Sequence, residues 1–217
     1  MRIGSEYRYR VLSGLGLLDE VCDTDSVLDI GGYDGYLLST INCRRRVVVD
    51  PCAVAVHPHV EYVQLNILDH PLHELFDFIF SLDMIEHLPV GTEELYMARI
   101  VQHLKPGGKA AITVPSADIR ITPSWLQPLV SRMWNHRKCP GYTKTELKRL
   151  AETTRRPFHV TELNAPAFRR GYLPLRAAKP FLPALTVSYA VARMATYDIK
   201  HNKGQHGYFL LTGRKPE

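Results

Sequence analysis

Val27-Leu28-Asp29-Ile30-Gly31-Gly32-Tyr33-Asp34-Gly35 carries a short apolar run into three glycines, and Leu37, Leu38 and Ile41 begin a helical spacing just beyond it. A strand, a glycine turn and a helix in that order can cradle a nucleotide-like ligand. Glycine reaches positive φ and lets a ligand lie against the main chain, while the first helical turn offers unpaired N–H groups. The same glycines also suit an ordinary strand-to-helix turn, so the features placed downstream at fixed distances have to decide.

Outward from the turn, strands and helices alternate. Residues 46–50 contain Val47-Val48-Val49, a continuous β-branched run of the kind buried on both faces, and Pro51 stops it. Further strands are predicted at 60–67, 76–82 and 109–114. A helix over 93–104 sits between the last two, with Thr92 at its cap, Glu93 and Glu94 in its first turn, and Met97, Ile100, Val101 and Leu104 as its apolar stripe. Lys105-Pro106-Gly107-Gly108 ends it. Upstream, Tyr7, Val11, Leu12, Leu15 and Leu18 predict a helix over 5–20, with Gly14 and Gly16 weakening its second half. This alternation predicts a doubly wound, mostly parallel α/β sheet with right-handed crossovers.

The second half of the chain is less regular. Residues 115–141 hold Trp125, Trp134 and several prolines, and read as an insertion over the carboxyl edge of the sheet. Thr143-x-x-Glu146 is a capping box opening a helix with Leu147, Leu150 and Ala151 on one side. Strands at 158–163 and 208–212 bring the number to seven, and the long 166–200 segment between them should form helices or a cap. A single domain is expected. It divides into an N-terminal helix (1–24), a ligand-binding core (25–116), cap segments (117–142 and 165–206), and a C-terminal helix with strands (143–164 and 207–217).

Composition narrows the class. With 217 residues, 45% apolar and 23% charged, the chain has the make-up of an ordered globular domain. Arg2, Glu6, Arg8 and Arg10 precede any apolar run, and 180–192 is broken by Pro183, so neither a secretory segment nor a membrane span is expected. Four cysteines without a C-x-x-C pair suit a reducing, cytoplasmic setting rather than a disulfide framework. His57-Pro58-His59 and His70-x-x-His73 lie in predicted loops without a carboxylate or thiol at ligand spacing, so no metal centre is expected. The net charge of +5 comes from local basic runs that read as solvated faces, which argues against a nucleic-acid partner while permitting one.

The glycine pattern does not match G-x-G-x-x-G, which counts against a nicotinamide dinucleotide, while Asp50 at the end of the second strand suits a ribose diol in any adenosine cofactor. The whole set of pieces resembles class I S-adenosylmethionine-dependent methyltransferases over about residues 25–116. These pieces are the 27–35 turn, Asp50 with Pro51, Asn66-Ile67 in the place of the adenine-binding pair, Phe76 to Leu88 ending in Glu86-His87-Leu88, and Leu104 to Gly108. His136 followed by Gly141-Tyr142-Thr143 is similar to the type 11 and type 23 small-molecule branches. The resemblance implies a Rossmann-like seven-stranded sheet with a helical cap, and S-adenosylmethionine as cofactor with S-adenosylhomocysteine as product. It implies a cofactor site of Asp29, Gly31, Gly32, Tyr33, Asp34, Gly35, Asp50, Pro51, Asn66, Ile67 and Ser81. Tyr33 stands where the family has its middle glycine, and Asn66 where it has an acid.

Methyl transfer from a sulfonium is an in-line displacement with a neutral leaving group, so positioning dominates. A hydroxyl or ammonium acceptor also needs a base, for which His136 and His87 are the candidates. The acceptor is expected to be a small molecule. Two rivals are an RNA-directed enzyme, suggested by the basic runs, and a non-catalytic scaffold, suggested by Tyr33. The fourth strand ends in Ser81-Leu82-Asp83-Met84 rather than an Asn/Asp-Pro-Pro turn, against the first rival. Leucines, Phe181 and basic residues over 169–193 also admit peripheral membrane contact, though a core-covering role is the favoured reading.

Overall fold

The computed structural model describes residues 3–117, 125, 128–129, 132, 135–138, 141–154, 158–202 and 207–216. Its strands are β1 (Ser26–Ile30), β2 (Arg45–Val49), β3 (Glu61–Val63), β4 (Phe76–Leu82), β5 (Leu104–Pro115), β6 (Phe158–Asn164) and β7 (Gly207–Arg214). Its helices are α1 (Ile3–Gly14), α2 (Tyr36–Ser39), α3 (Glu93–His103), α4 (Lys144–Thr153), α5 (Pro166–Ala178) and α6 (Ala184–Lys200).

The strands form one sheet in the order β3-β2-β1-β4-β5-β7-β6. Pairs from β3 through β5 are parallel, and β7 runs antiparallel to both β5 and β6. The β-branched and aromatic runs are buried on both faces, as expected. Val27, Val48, Phe78 and Phe80 pack toward α1, α2, α5 and α6, while Leu28, Val47, Val49 and Ile79 pack toward α3 and α4. Alternation along each strand thus divides one continuous apolar sequence into two cores.

Several elements differ in extent from their sequence reading. The first helix stops at Gly14, and Gly16 at φ 75 turns the chain out of it. The third strand is only Glu61–Val63, because Asn66 begins a turn that accepts the main-chain N–H groups of Asp69 and His70. The 166–200 segment does form helices: α5 and α6 join through a short turn at Lys179–Phe181 and lie with α1 over one face of the sheet. Most of the expected 117–142 cap lies outside the described residues. No helix among the described residues is long and apolar enough to cross a membrane.

Candidate active site

The strand order reverses between β1 and β4, the place where a doubly wound sheet presents its ligand site. The loops leaving these two strands touch. Gly31 has φ 82, and a Cβ built there would lie 2.8 Å from Met84 Sδ of the second loop. At Gly35 (φ 70) a Cβ would lie 2.6 Å from Tyr62 Oη, which donates to Asp34 O at 3.0 Å and accepts from His57 N at 3.1 Å. A Cβ at Gly32 would collide with the carboxylate of Asp29. Glycine is therefore required by φ at two positions and by space at all three. Tyr33 also takes the left-handed conformation, at φ 45, and its carbonyl accepts from Val54 N at 3.0 Å. The backbone keeps the path a glycine would give it, so this departure from the family pattern concerns the side chain.

Asp29 is buried beneath the turn. Burial lifts its pKa to about 7, with repulsion from Asp50 and Asp34 adding to the rise. Asp50 follows β2, and its Oδ1 accepts from Cys52 N at 2.7 Å, which fixes the carboxylate beside exposed Pro51. Asn66 is exposed, and its amide is used locally: Oδ1 accepts from Leu68 N at 3.2 Å and Nδ2 donates to Asp69 at 2.7 Å. Two expected site residues turn inward. The Ile67 side chain is buried in the core shared with α3, and the Ser81 hydroxyl, wholly buried, shares a 2.6 Å hydrogen bond with Tyr96. Alternation along β4 and the tight turn after β3 dictate both orientations, so these side chains join the sheet to α3.

On the β4 side, Asp83 has φ 51 and is held from two directions. Arg8 of α1 donates to its carboxylate at 2.8 Å, and Thr113 of β5 donates to the same group at 2.9 Å. This clamp aims the 84–87 loop. Spacing along the chain does not announce the group, because its members lie on three separate elements. The clue available was an arginine on the apolar side of a helix.

The loop brings together the two histidines expected at the site. The rings of His87 and His136 meet edge to face with centroids 4.9 Å apart, and Asn135 O lies 3.2 Å from His87 Nδ1. Arg137 N donates to Glu86 O at 2.8 Å, tying the 135–138 segment to the loop. Burial, and then His87, lowers the His136 pKa to about 4. Glu86 is buried beside them, and desolvation together with Asp83 pushes its carboxyl well above the usual range. One donor atom from each of Glu86, His87 and His136 lies within 4.8 Å of the others. These three, rather than the His57/His59 or His70/His73 pairs, make up the described group with the spacing of a metal site. Of the aromatic residues in this half, Trp125 is exposed, Tyr142 is buried against Ile85 O and Glu93, and Trp134 lies outside the described residues.

The sequence matches the family described as methyltransferase domain over residues 8–154. No curated protein matches it. Among solved structures, phosphoethanolamine N-methyltransferase 2 of Haemonchus contortus, determined with phosphomonomethylethanolamine and S-adenosylhomocysteine, superposes with a TM-score of 0.65 at 19% identity, over 96% of this chain and 52% of its own. The chain thus spans about half the length of that relative. The N-methyltransferase NodS of Bradyrhizobium japonicum WM9 gives 0.54 at 18% identity, over 97% and 95% of the two chains. A methyltransferase of Haloferax volcanii, solved with the Trm112 methyltransferase activator, gives 0.61 at 17% identity, over 99% and 93%. At these identities the likeness is one of fold.

Proposed function

We infer the function from one premise: the chain belongs to the methyltransferase-domain family, whose match runs over residues 8–154. It is a class I S-adenosylmethionine-dependent methyltransferase, and the acceptor we propose is a small molecule. The observation that carries this reading is the turn after β1, where left-handed backbone at Gly31 and Gly35 presents main chain without side chains, Tyr33 keeps the same backbone path, and Asp50 lies at the end of the neighbouring strand. Such a turn fits an adenosyl cofactor. Gly31, Gly32, Tyr33, Asp34 and Gly35 would lie along it, Asp50 would accept from its ribose, and Asn66 stands on the adenine side.

When bound, S-adenosylmethionine supplies an electrophilic methyl group and leaves as neutral S-adenosylhomocysteine. The chain's part is to position. Asp29 supports the turn from below through its contact with Gly32. The Arg8–Asp83–Thr113 clamp fixes the loop that carries His87, and the Arg137 N to Glu86 O bond brings His136 beside it. Burial keeps the His136 ring neutral at neutral pH, the form in which an imidazole can take up a proton.

Calorimetry with S-adenosylhomocysteine tests the reading. The expected result is one site per chain at micromolar affinity, weakened at least tenfold by Asp50→Ala. A folded protein that binds nothing at millimolar ligand would instead be a scaffold that retains the fold.

A further inference from the structure

We propose that Glu86, His87 and His136 form a divalent-cation site next to the glycine turn, which receives a hydroxyl of the acceptor. The second half of this statement rests on the methyltransferase reading; the cation site itself does not.

Four observations converge on it. The donor atoms of the three residues lie within 4.8 Å of one another, a spacing that a single ion can bridge. Glu86 is about 1% exposed, and its Oε2 has no hydrogen-bond partner among the described residues. A buried carboxylate oxygen left without a donor is costly, and a cation supplies what it lacks. Asn135 O lies 3.2 Å from His87 Nδ1, the arrangement in which Nδ1–H donates to a carbonyl and Nε2 turns its lone pair to a metal. Finally, the site is braced from both sides. Asn135 takes φ 56 immediately before His136, Arg137 N holds Glu86 O, and strained Asp83 is clamped by Arg8 and Thr113 just ahead of the 84–87 loop.

The ligand set selects the ion. Two imidazoles and one carboxylate suit a borderline first-row ion such as Mn²⁺, Fe²⁺, Co²⁺ or Zn²⁺ better than Mg²⁺ or Ca²⁺, and three protein ligands leave coordination positions open. Met84, two residues before Glu86, lies against Gly31, which brings the loop carrying Glu86 and His87 against the cofactor turn. A cation there lowers the pKa of a coordinated hydroxyl. The hydroxyl proton leaves to solvent, an oxygen lone pair forms the O–CH3 bond, and the C–S bond breaks with its electron pair kept by sulfur. The acceptor is thereby an alcohol or phenol rather than an amine.

Cobalt(II) chloride is the probe, added to the full chain after chelator treatment, with visible absorption as readout. One Co²⁺ per chain with a dissociation constant below about 100 µM is expected, and His136→Ala and His87→Ala should each weaken it at least tenfold. Both substituted residues are part-exposed, so they guard against the chance that Glu86→Gln does not fold. Binding that survives both substitutions would place cobalt on other histidines, and it would overturn the proposal just as an absence of binding would. S-adenosylhomocysteine calorimetry on the same samples separates the two claims. A chain that binds the nucleoside but no cobalt loses only the cation site. A chain that binds cobalt at these residues but no nucleoside keeps the site and loses the methyltransferase reading.

Discussion

Asp29 shows how much a single residue can say about the ligand its site expects. Its pKa stands at about 7 because a carboxylate has been buried beside Asp50 and Asp34. The folded chain holds this proton more tightly than the unfolded chain, whose carboxyl keeps its ordinary 3.8. Asp29 therefore contributes stability that is complete below pH 4 and is lost as pH rises through 7, at about 1.4 kcal/mol for each unit in between. A positively charged ligand over the turn has the opposite preference and favours the ionised form. S-adenosylmethionine, whose sulfonium is positive, should bind more weakly as pH drops below 7, and near pH 7 its binding should release protons, measured by calorimetry in buffers of different ionisation enthalpy. Asp29→Asn should flatten that dependence. The sequence reading found this residue because its place in a strand–glycine turn is local information. The charge state needed the fold, since Asp50 becomes a neighbour only when β1 and β2 pair.

Among the elements, β5 carries the sharpest local constraint. It pairs with β4 at Phe76–Leu104 and again at Phe78–Lys109, so four residues of one strand stand against one of the other. The bulge holds Lys105, whose ammonium meets Asp77 at 2.7 Å, and Asp77 also accepts from Ser26 N and Oγ at 2.8 and 2.7 Å. Gly108 lies inside it, where a Cβ would come within 2.9–3.1 Å of the carbonyl oxygens of Lys105, Phe76 and Asp77. Backbone oxygens cannot swing aside as side chains can. Gly108→Ala should therefore cost about 1–3 kcal/mol, read as a lower Tm with S-adenosylhomocysteine affinity per folded molecule unchanged. The sequence marked Lys105-Pro106-Gly107-Gly108 as a helix stop, which it is. That the stop is also the start of a strand could not be seen, because the pairing of Phe76 with Leu104 is tertiary. Elements set by periodicity or caps, such as α3 and the Thr143–Glu146 capping box of α4, appear where the pattern put them.

At the scale of the whole molecule, Asp198 joins the two ends of the chain. It accepts from Tyr7 Oη at 2.7 Å, Ala167 N at 2.8 Å and Phe168 N at 3.0 Å, so a carboxylate of α6 caps the start of α5 and fastens α1 to both. Asp198→Ala strips three donors of their acceptor and should cost about 2–4 kcal/mol. Amide exchange in α5 and α6 should rise before exchange in β1, with Asp198→Asn giving a partial rescue. Architecture on this scale was readable from strand alternation, whereas the Glu86–His87–His136 group was not. His136 reaches its partners through an irregular segment whose path no spacing rule describes, so its approach to Glu86 and His87 is set only by the fold. The position of β7 has a consequence in time. It lies between β5 and β6, so β6 has no sheet to join until residues 207–214 exist. During synthesis, at roughly 5–20 residues per second, the parallel half from β1 to β5 can assemble early. The nascent β6 must wait with its edge unpaired, so a ribosome that stalls after α6 leaves an exposed strand edge for chaperones to guard.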